Sequence, residues 1–212
     1  RDGAGDAAQR ALALAKTGVG PGYDACKKQH EAAWSSFWQR SAIALQDAEL
    51  EATWYRHLFA LAGQIGPQAM APGLVGNVVP WESSPWHGGY TVNMNIQKMF
   101  VSAMPSNHPE WLDAYHAWLQ HMEPSFRQLC QVVLGFEGLY SSHMVMPYLP
   151  PERQTNSNQA GRALGMIGWH GQPLWWRWDF TRDRDYLKRV AYPFFKATAS
   201  TYWPYLKKFQ DQ

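Results

Sequence analysis

The sequence lacks a charge surplus of either sign. Nineteen Lys and Arg stand against seventeen Asp and Glu, a formal net charge of +2. No basic field is present to neutralise nucleic-acid phosphates, and no polybasic run recruits the chain to a membrane surface. Long hydrophobic runs are missing too, and none reaches the roughly 20 residues of a membrane span. Cysteine is scarce. Cys26 and Cys130 lie far apart with no CxxC between them, compatible with one disulfide or with two buried thiols. No HExxH, no GxSxG elbow and no phosphate loop occurs, so no cofactor is indicated. His116 and His121 are five apart, about 140° around a helix, which is a poor shared face for a metal. No leader peptide is readable; the chain opens mid-pattern at Arg1, as a processed or trimmed product would.

Aromatic residues are plentiful. They make up 15% of the 212 residues, including twelve Trp, so there is much ring surface to bury or to present. The length suffices for one large domain or two small ones, and residues 1–212 read as a single helical domain.

The periodicity is mostly helical. Residues 4–17 are Ala-rich and stop at Gly18-Val-Gly-Pro21. A second helix runs from about Tyr23 to Arg40. Asp47 is placed to cap a third, with the stripe Leu50, Trp54, Leu58, Leu61 and Ile65. Residues 66–92 are rich in Gly and Pro and read as a long loop, a kind that is usually functional or disordered. The segment Tyr90–Asn95 alternates like a short strand, and Asn95–Met104 reads as a helix. Trp111, Leu112, Tyr115, Leu119 and Met122 form the next apolar face, which Pro124 should break or kink before Phe126–Leu134. A second long loop covers 135–157. Ser157 or Asn158 starts a helix through Gly168, the run Trp175-Trp176-Arg177-Trp178 follows, and Asp183 caps a last helix bent at Pro193 and Pro204. About seven helices, paired by short turns alternating with long loops, suggest an all-α fold of helical hairpins with the long loops at one end.

The candidate chemistry gathers in Pro80–Pro105, where aromatics, amides and one acid share a loop. Residues i and i+2 of an extended segment point the same way, so the amides of Asn93 and Asn95 would face the same side. Aromatics, amides and a lone acid in one loop look like a sugar site, and breaking a glycosidic bond needs two carboxyl groups flanking it. Of Glu82, Glu137, Glu152 and Asp179, Glu82 is the best placed, between Trp81 and Trp86, where apolar walls would suit it to acid duty. Asp179 is its candidate partner, against the plain reading of a cap or an ion pair with Arg177 or Arg182. Trp81, Trp86, Tyr90 and Trp176 offer rings for stacking on sugar faces, with His87 added to the substrate-binding set. Core packing is the competing reading for the rings, and a loop capping a helical core is the competing reading for the whole stretch.

Pro72-Gly-Leu-Val-Gly76, Trp81, and Pro85-Trp86-His-Gly-Gly-Tyr90-Thr-Val-Asn93-Met-Asn95 together resemble glycoside hydrolase family 95, the α-L-fucosidase and α-L-galactosidase group. Trp178-Asp-Phe-Thr-Arg-Asp-Arg-Asp-Tyr-Leu187 and Ala191-Tyr-Pro-Phe-Phe195 resemble the family's Tyr-x-Phe-Thr-Gly-Asp-x-x-Phe-Leu and Ala-Tyr-Pro-Leu segments. The resemblance covers residues 22–210 and implies a partial or shortened (α/α)6 barrel. It further implies a carbohydrate ligand, single-displacement hydrolysis and a secreted or periplasmic setting. It puts the water-positioning pair at Asn93 and Asn95. The family's general acid, the Glu of a Leu-Trp-Glu stretch, falls on Trp176 of Leu174-Trp175-Trp176, which has no proton to give a glycosidic oxygen. The family's partner Asp lies downstream of this chain. The alternatives are a non-catalytic carbohydrate-binding barrel remnant, or a fragment whose acid and base partner lie elsewhere. Apolar surface left by missing helices would then be covered by the other barrel half or by a second copy, as a homodimer or other homo-oligomer.

Overall fold

The computed structural model describes residues 4–66, 69–77, 82–153 and 164–210. Its contacts divide the chain into two compact units, Arg1–Ala44 and Leu45–Gln212.

The first unit is a pair of helices, α1 (Ala4–Val19) and α2 (Tyr23–Trp38). Alanine costs little to order in a helix, and Pro21 cannot continue α1 because it lacks a backbone N–H. Gly22, at φ +77°, makes the turn into α2. Trp34 stacks on Trp38 at 5.8 Å and meets Phe37 edge-on at 5.3 Å, the i, i+3 and i+4 neighbours of one helix face.

The second unit is built on α5 (Trp111–Leu134). Tyr115, Trp118, Met122, Phe126 and Leu129 recur at helical spacing and are all buried. Pro124 lies inside this helix, which runs through it, so the break that the sequence allowed for does not occur there. Pro124 and Gln120 are both exposed, so the carbonyl that loses its N–H partner faces water, while Ser125, Phe126 and Leu129 hold the following turn in the core.

Ahead of α5 come α3 (Ala48–Ala62), the strand β1 (Tyr90–Thr91) and the short helix α4 (Asn95–Lys98). Asp47 caps α3, its Oδ1 accepting from Glu49 N at 3.0 Å and Leu50 N at 3.1 Å. After α5 follow β2 (Met144–Val145), α6 (Gly165–Trp169), α7 (Gly171–Thr181), α8 (Arg184–Tyr186) and α9 (Tyr192–Gln210). The helix expected from Ser157 or Asn158 starts outside the described residues. Asp183 caps α8 as the sequence suggests, accepting from Asp185 N and Tyr186 N. The bend expected near Pro193 takes the form of a π-helical turn, Leu187–Ala191, in which Tyr192 N donates to Leu187 O. Pro193 has no N–H, and its ring would clash with the carbonyl four residues back; the wider turn avoids both.

The fold class is all-α, and the strands form one two-stranded antiparallel ribbon that pairs Tyr90 with Val145 and Thr91 with Met144. The ribbon ties the two long loops together over α5. Cys26 and Cys130 are not bridged; burial pushes the Cys130 thiol up to about 11.

Candidate active site

Two anchors shape the loop ahead of the ribbon. Asn77 N donates to Gln64 Oε1 at 2.8 Å, and Asn77 Nδ2 donates to Gln64 O and Met70 O, fastening the Pro72–Gly76 turn to the end of α3. Tyr90 OH donates to Ala71 O at 2.6 Å, while its ring stacks on Trp118 at 5.7 Å. Burial pushes the Tyr90 phenol up to about 12, so it stays a hydrogen-bond donor at neutral pH. Gly89 is needed for a close approach, since a Cβ there would stand 2.8 Å from Met144 Sδ on β2.

The strand is shorter than its alternation suggests. It ends at Thr91, with Val92 N still donating to His143 O at 2.9 Å. Met94 then turns left-handed at φ +103°, and Asn95 opens α4. Asn93 and Asn95 therefore do not sit on one extended segment, and the same-side argument from strand geometry does not apply to them. The helix expected over Asn95–Met104 is a single turn. Both asparagines are half-buried, and Asn93 Oδ1 is enclosed with no hydrogen-bonding partner among the described residues.

A polar network backs this turn. Gln97 Nε2 donates to Val92 O at 3.0 Å and stands 3.5 Å from His170 Nδ1. Tyr115 OH is 3.1 Å from the same Nδ1, and His170 Nε2 is 3.1 Å from Ser141 Oγ. His170 is wholly enclosed, its ring stacked on Phe126 at 5.2 Å. Burial pulls its pKa down to about 3, so the imidazole is neutral. The consistent pattern has Nε2–H donating to Ser141 Oγ, Ser141 Oγ donating to Ser142 O, and Nδ1 accepting from Tyr115 OH. Sequence reading missed this set. Its one signal was a histidine in an otherwise Gly, Trp and Leu-rich run.

The other expected residues fall as follows. Glu82 is exposed, so the enclosure expected around it is not built by the described residues. Trp86 is 69% exposed at φ +48° in a 3₁₀ turn, Pro85–Gly88, that also carries the His87 backbone. Trp81 lies outside the described residues. Trp176 is half-buried on α7. Asp179 is exposed and pairs with Arg182 at 2.5 Å, while Arg177 pairs with Asp113 and lies 4.5 Å over the Tyr186 ring.

An all-α scaffold that carries an asparagine-bearing turn, stacked aromatics and scattered carboxylates has the makings of a helical-barrel glycosidase domain. The family comparison agrees. Residues 47–212 match the model of the glycosyl hydrolase family 95 catalytic domain, and the chain belongs to that family, whose architecture is the (α/α)6 barrel. It is also similar to Alpha-L-fucosidase 2 of Arabidopsis thaliana, 25% identical over 129 residues. That match covers 60% of this chain and 15% of the relative's length. The chain thus spans a small part of that enzyme and supplies part of a barrel. Among the described residues no helix is long and apolar enough to cross a membrane.

Proposed function

We propose that this chain contributes to glycoside hydrolysis of an oligosaccharide or a plant or microbial polysaccharide fragment, with an α-L-fucoside as the first substrate to test. Family membership supports the class, and the relative's name supports the sugar. The observation that carries the reading is Asn93 Oδ1, an enclosed acceptor with no partner among the described residues, on a turn braced by Gln97. A buried acceptor left unpaired costs about 1–3 kcal/mol, and a functional partner is a reason to retain one. In single displacement, Asn93 and Asn95 would hold a water whose oxygen bonds to the anomeric carbon as the glycosidic C–O bond breaks. The water's proton passes to a carboxylate, and a carboxylic acid protonates the leaving oxygen. Glu82 and Asp179 are the proposed acid and base partners on this chain. Trp81, Trp86, Tyr90, His87 and Trp176 are the proposed sugar contacts.

A second reading has its own support. The family resemblance puts the acid's position at Trp176, while Asp179 is paired with Arg182 and Glu82 is exposed. Such a site binds a glycan without turning it over, or receives its acid from elsewhere in a larger enzyme.

Incubating the 212-residue chain with a panel of glycosides led by aryl α-L-fucosides separates the readings. Sugar release that falls in Glu82→Gln or Asp179→Asn supports the catalytic pair. Saturable quenching of tryptophan fluorescence by oligosaccharides without product supports the binding module, and neither signal rejects both. Treating residues 1–212 as one domain is part of the proposal. Limited proteolysis that cuts near Ala44 and leaves two independently folded pieces would reject it.

A further inference from the structure

The face of α5 carrying His116, Gln120, Glu123 and Arg127 lies about 140° round the helix from that of Tyr115, Trp118 and Met122. It opens onto a cavity of about 170 Å³, closed on the far side by α7, the π-helical turn and α9. None of the lining residues belongs to the Asn93–Asn95 turn. The floor is apolar, with Leu119, Leu139 and Leu174 all buried.

The polar groups of the cavity are unevenly matched. Arg127 donates to Glu123 Oε1 through Nε at 3.0 Å and Nη2 at 2.5 Å, so that carboxylate is already engaged. Arg189, on the π-helical turn, donates through Nε to the Asp185 carbonyl at 3.4 Å and makes no ion pair among the described residues. Burial pulls the His116 pKa down, Asp113 opposes the shift and Arg177 adds to it, leaving the imidazole uncharged at neutral pH. Among the lining residues, two guanidinium groups against one carboxylate leave one positive charge, with Asp183 outside the cavity near enough for Arg189 to help lower its pKa. The π-helical turn is what brings Arg189 there; such turns interrupt helices frequently at functional sites. The volume lies below the roughly 300–1,000 Å³ of a drug-sized site, so a single ring is the largest body that fits.

We propose that this cavity binds a small organic carboxylate built on one six-membered ring, its carboxylate on Arg189 and its ring against the accessible lining residues Val190, Pro193 and Phe194. A guanidinium with free Nη donors matches a carboxylate in fork geometry, and the apolar wall takes a ring face. The inference is independent of the sugar site.

Isothermal titration of the 212-residue chain with benzoate and with D-glucuronate tests it, with benzyl alcohol and D-glucose as the neutral counterparts. The expected result is saturable binding of at least one carboxylate with Kd on the order of 1 mM or tighter. Its neutral counterpart should bind about 10-fold more weakly, and Arg189→Gln should cost about as much. Arg189→Lys should retain part of the affinity. Preference for benzoate assigns an apolar ring, and preference for glucuronate a sugar acid. Arg189 is exposed, so its variants should fold, which circular dichroism checks. No saturation by about 10 mM of either carboxylate, equal binding of a neutral counterpart, or unchanged binding in Arg189→Gln each overturns the proposal.

Discussion

His170 Nε2 stands 3.1 Å from Ser141 Oγ, and this contact joins the start of α7 to the loop that leads into β2. His170 is enclosed and neutral, with a pKa near 3 against about 6.5 for an unfolded histidine. Between those values the unfolded chain holds a proton that the folded chain does not. Stability from this group is therefore complete above about pH 6.5 and is lost as pH falls toward 3, by up to about 1.4 kcal/mol per pH unit. His170→Gln removes the titration. Urea unfolding from about pH 4 to 8 should show wild type losing stability toward acid faster than the variant. Parallel curves would mean that His170 is not held neutral in the fold.

Gly171 opens α7 beneath α9. A Cβ at this position would lie 2.6 Å from Phe195 Cε1. Gly171→Ala should lower stability by about 1–3 kcal/mol through overpacking. Phe195→Leu trims the ring that causes the clash, so the double variant should recover part of that loss, a coupling measurable by thermal unfolding of all four proteins in the cycle. Strictly additive losses would place the strain elsewhere.

What the sequence disclosed follows from the range of the physics involved. The caps at Asp47 and Asp183 are local events within three residues, and both were legible. The stripe of α5 was legible because burial repeats at helical period. No break occurs at Pro124 because the local rule counts a lost hydrogen bond, whereas solvent on one face and core packing on the other decide the outcome. Asn93 and Asn95 were found through their pattern, but the left-handed Met94 between them was not, since nothing in a Thr-Val-Asn-Met-Asn run announces a positive φ. The network of Gln97, Tyr115, Ser141 and His170 joins residues 29 to 73 positions apart, a pairing only the fold makes.

Asn93 permits a test that separates function from structure. Its Oδ1 is enclosed and unpaired among the described residues, so Asn93→Ala removes an unsatisfied acceptor and should leave the melting temperature level or slightly raised. If the amide serves a sugar-bound water, the same variant should weaken binding of α-L-fucosides by about 10-fold, the worth of one net hydrogen bond. Tryptophan fluorescence titration and thermal unfolding on the same samples check both halves. A drop in stability with unchanged affinity would make Asn93 a structural amide.

Trp176 carries the sharpest prediction, because the family resemblance puts the proton donor where this chain has an indole. The residue is half-buried on α7, three positions before Asp179, whose carboxylate is held by Arg182. If the chain binds sugar but lacks its acid, Trp176→Glu restores a carboxyl group at the matching position, where partial burial raises a carboxyl pKa toward the range of a general acid. The expected outcome is a gain in hydrolysis of α-L-fucosides with natural, poor leaving groups. Aryl fucosides with good leaving groups should gain less, because their departing oxygen needs less protonation. A positioned general acid contributes about 10²–10⁴-fold, so even a partly aligned carboxyl group in the Trp176→Glu variant should be detectable by single-turnover product analysis. A gain that persists in a background of Glu82→Gln and Asp179→Asn would take the catalytic assignment from that pair. A folded, sugar-binding Trp176→Glu variant with no gain on either class of leaving group would place the acid on a segment other than α7.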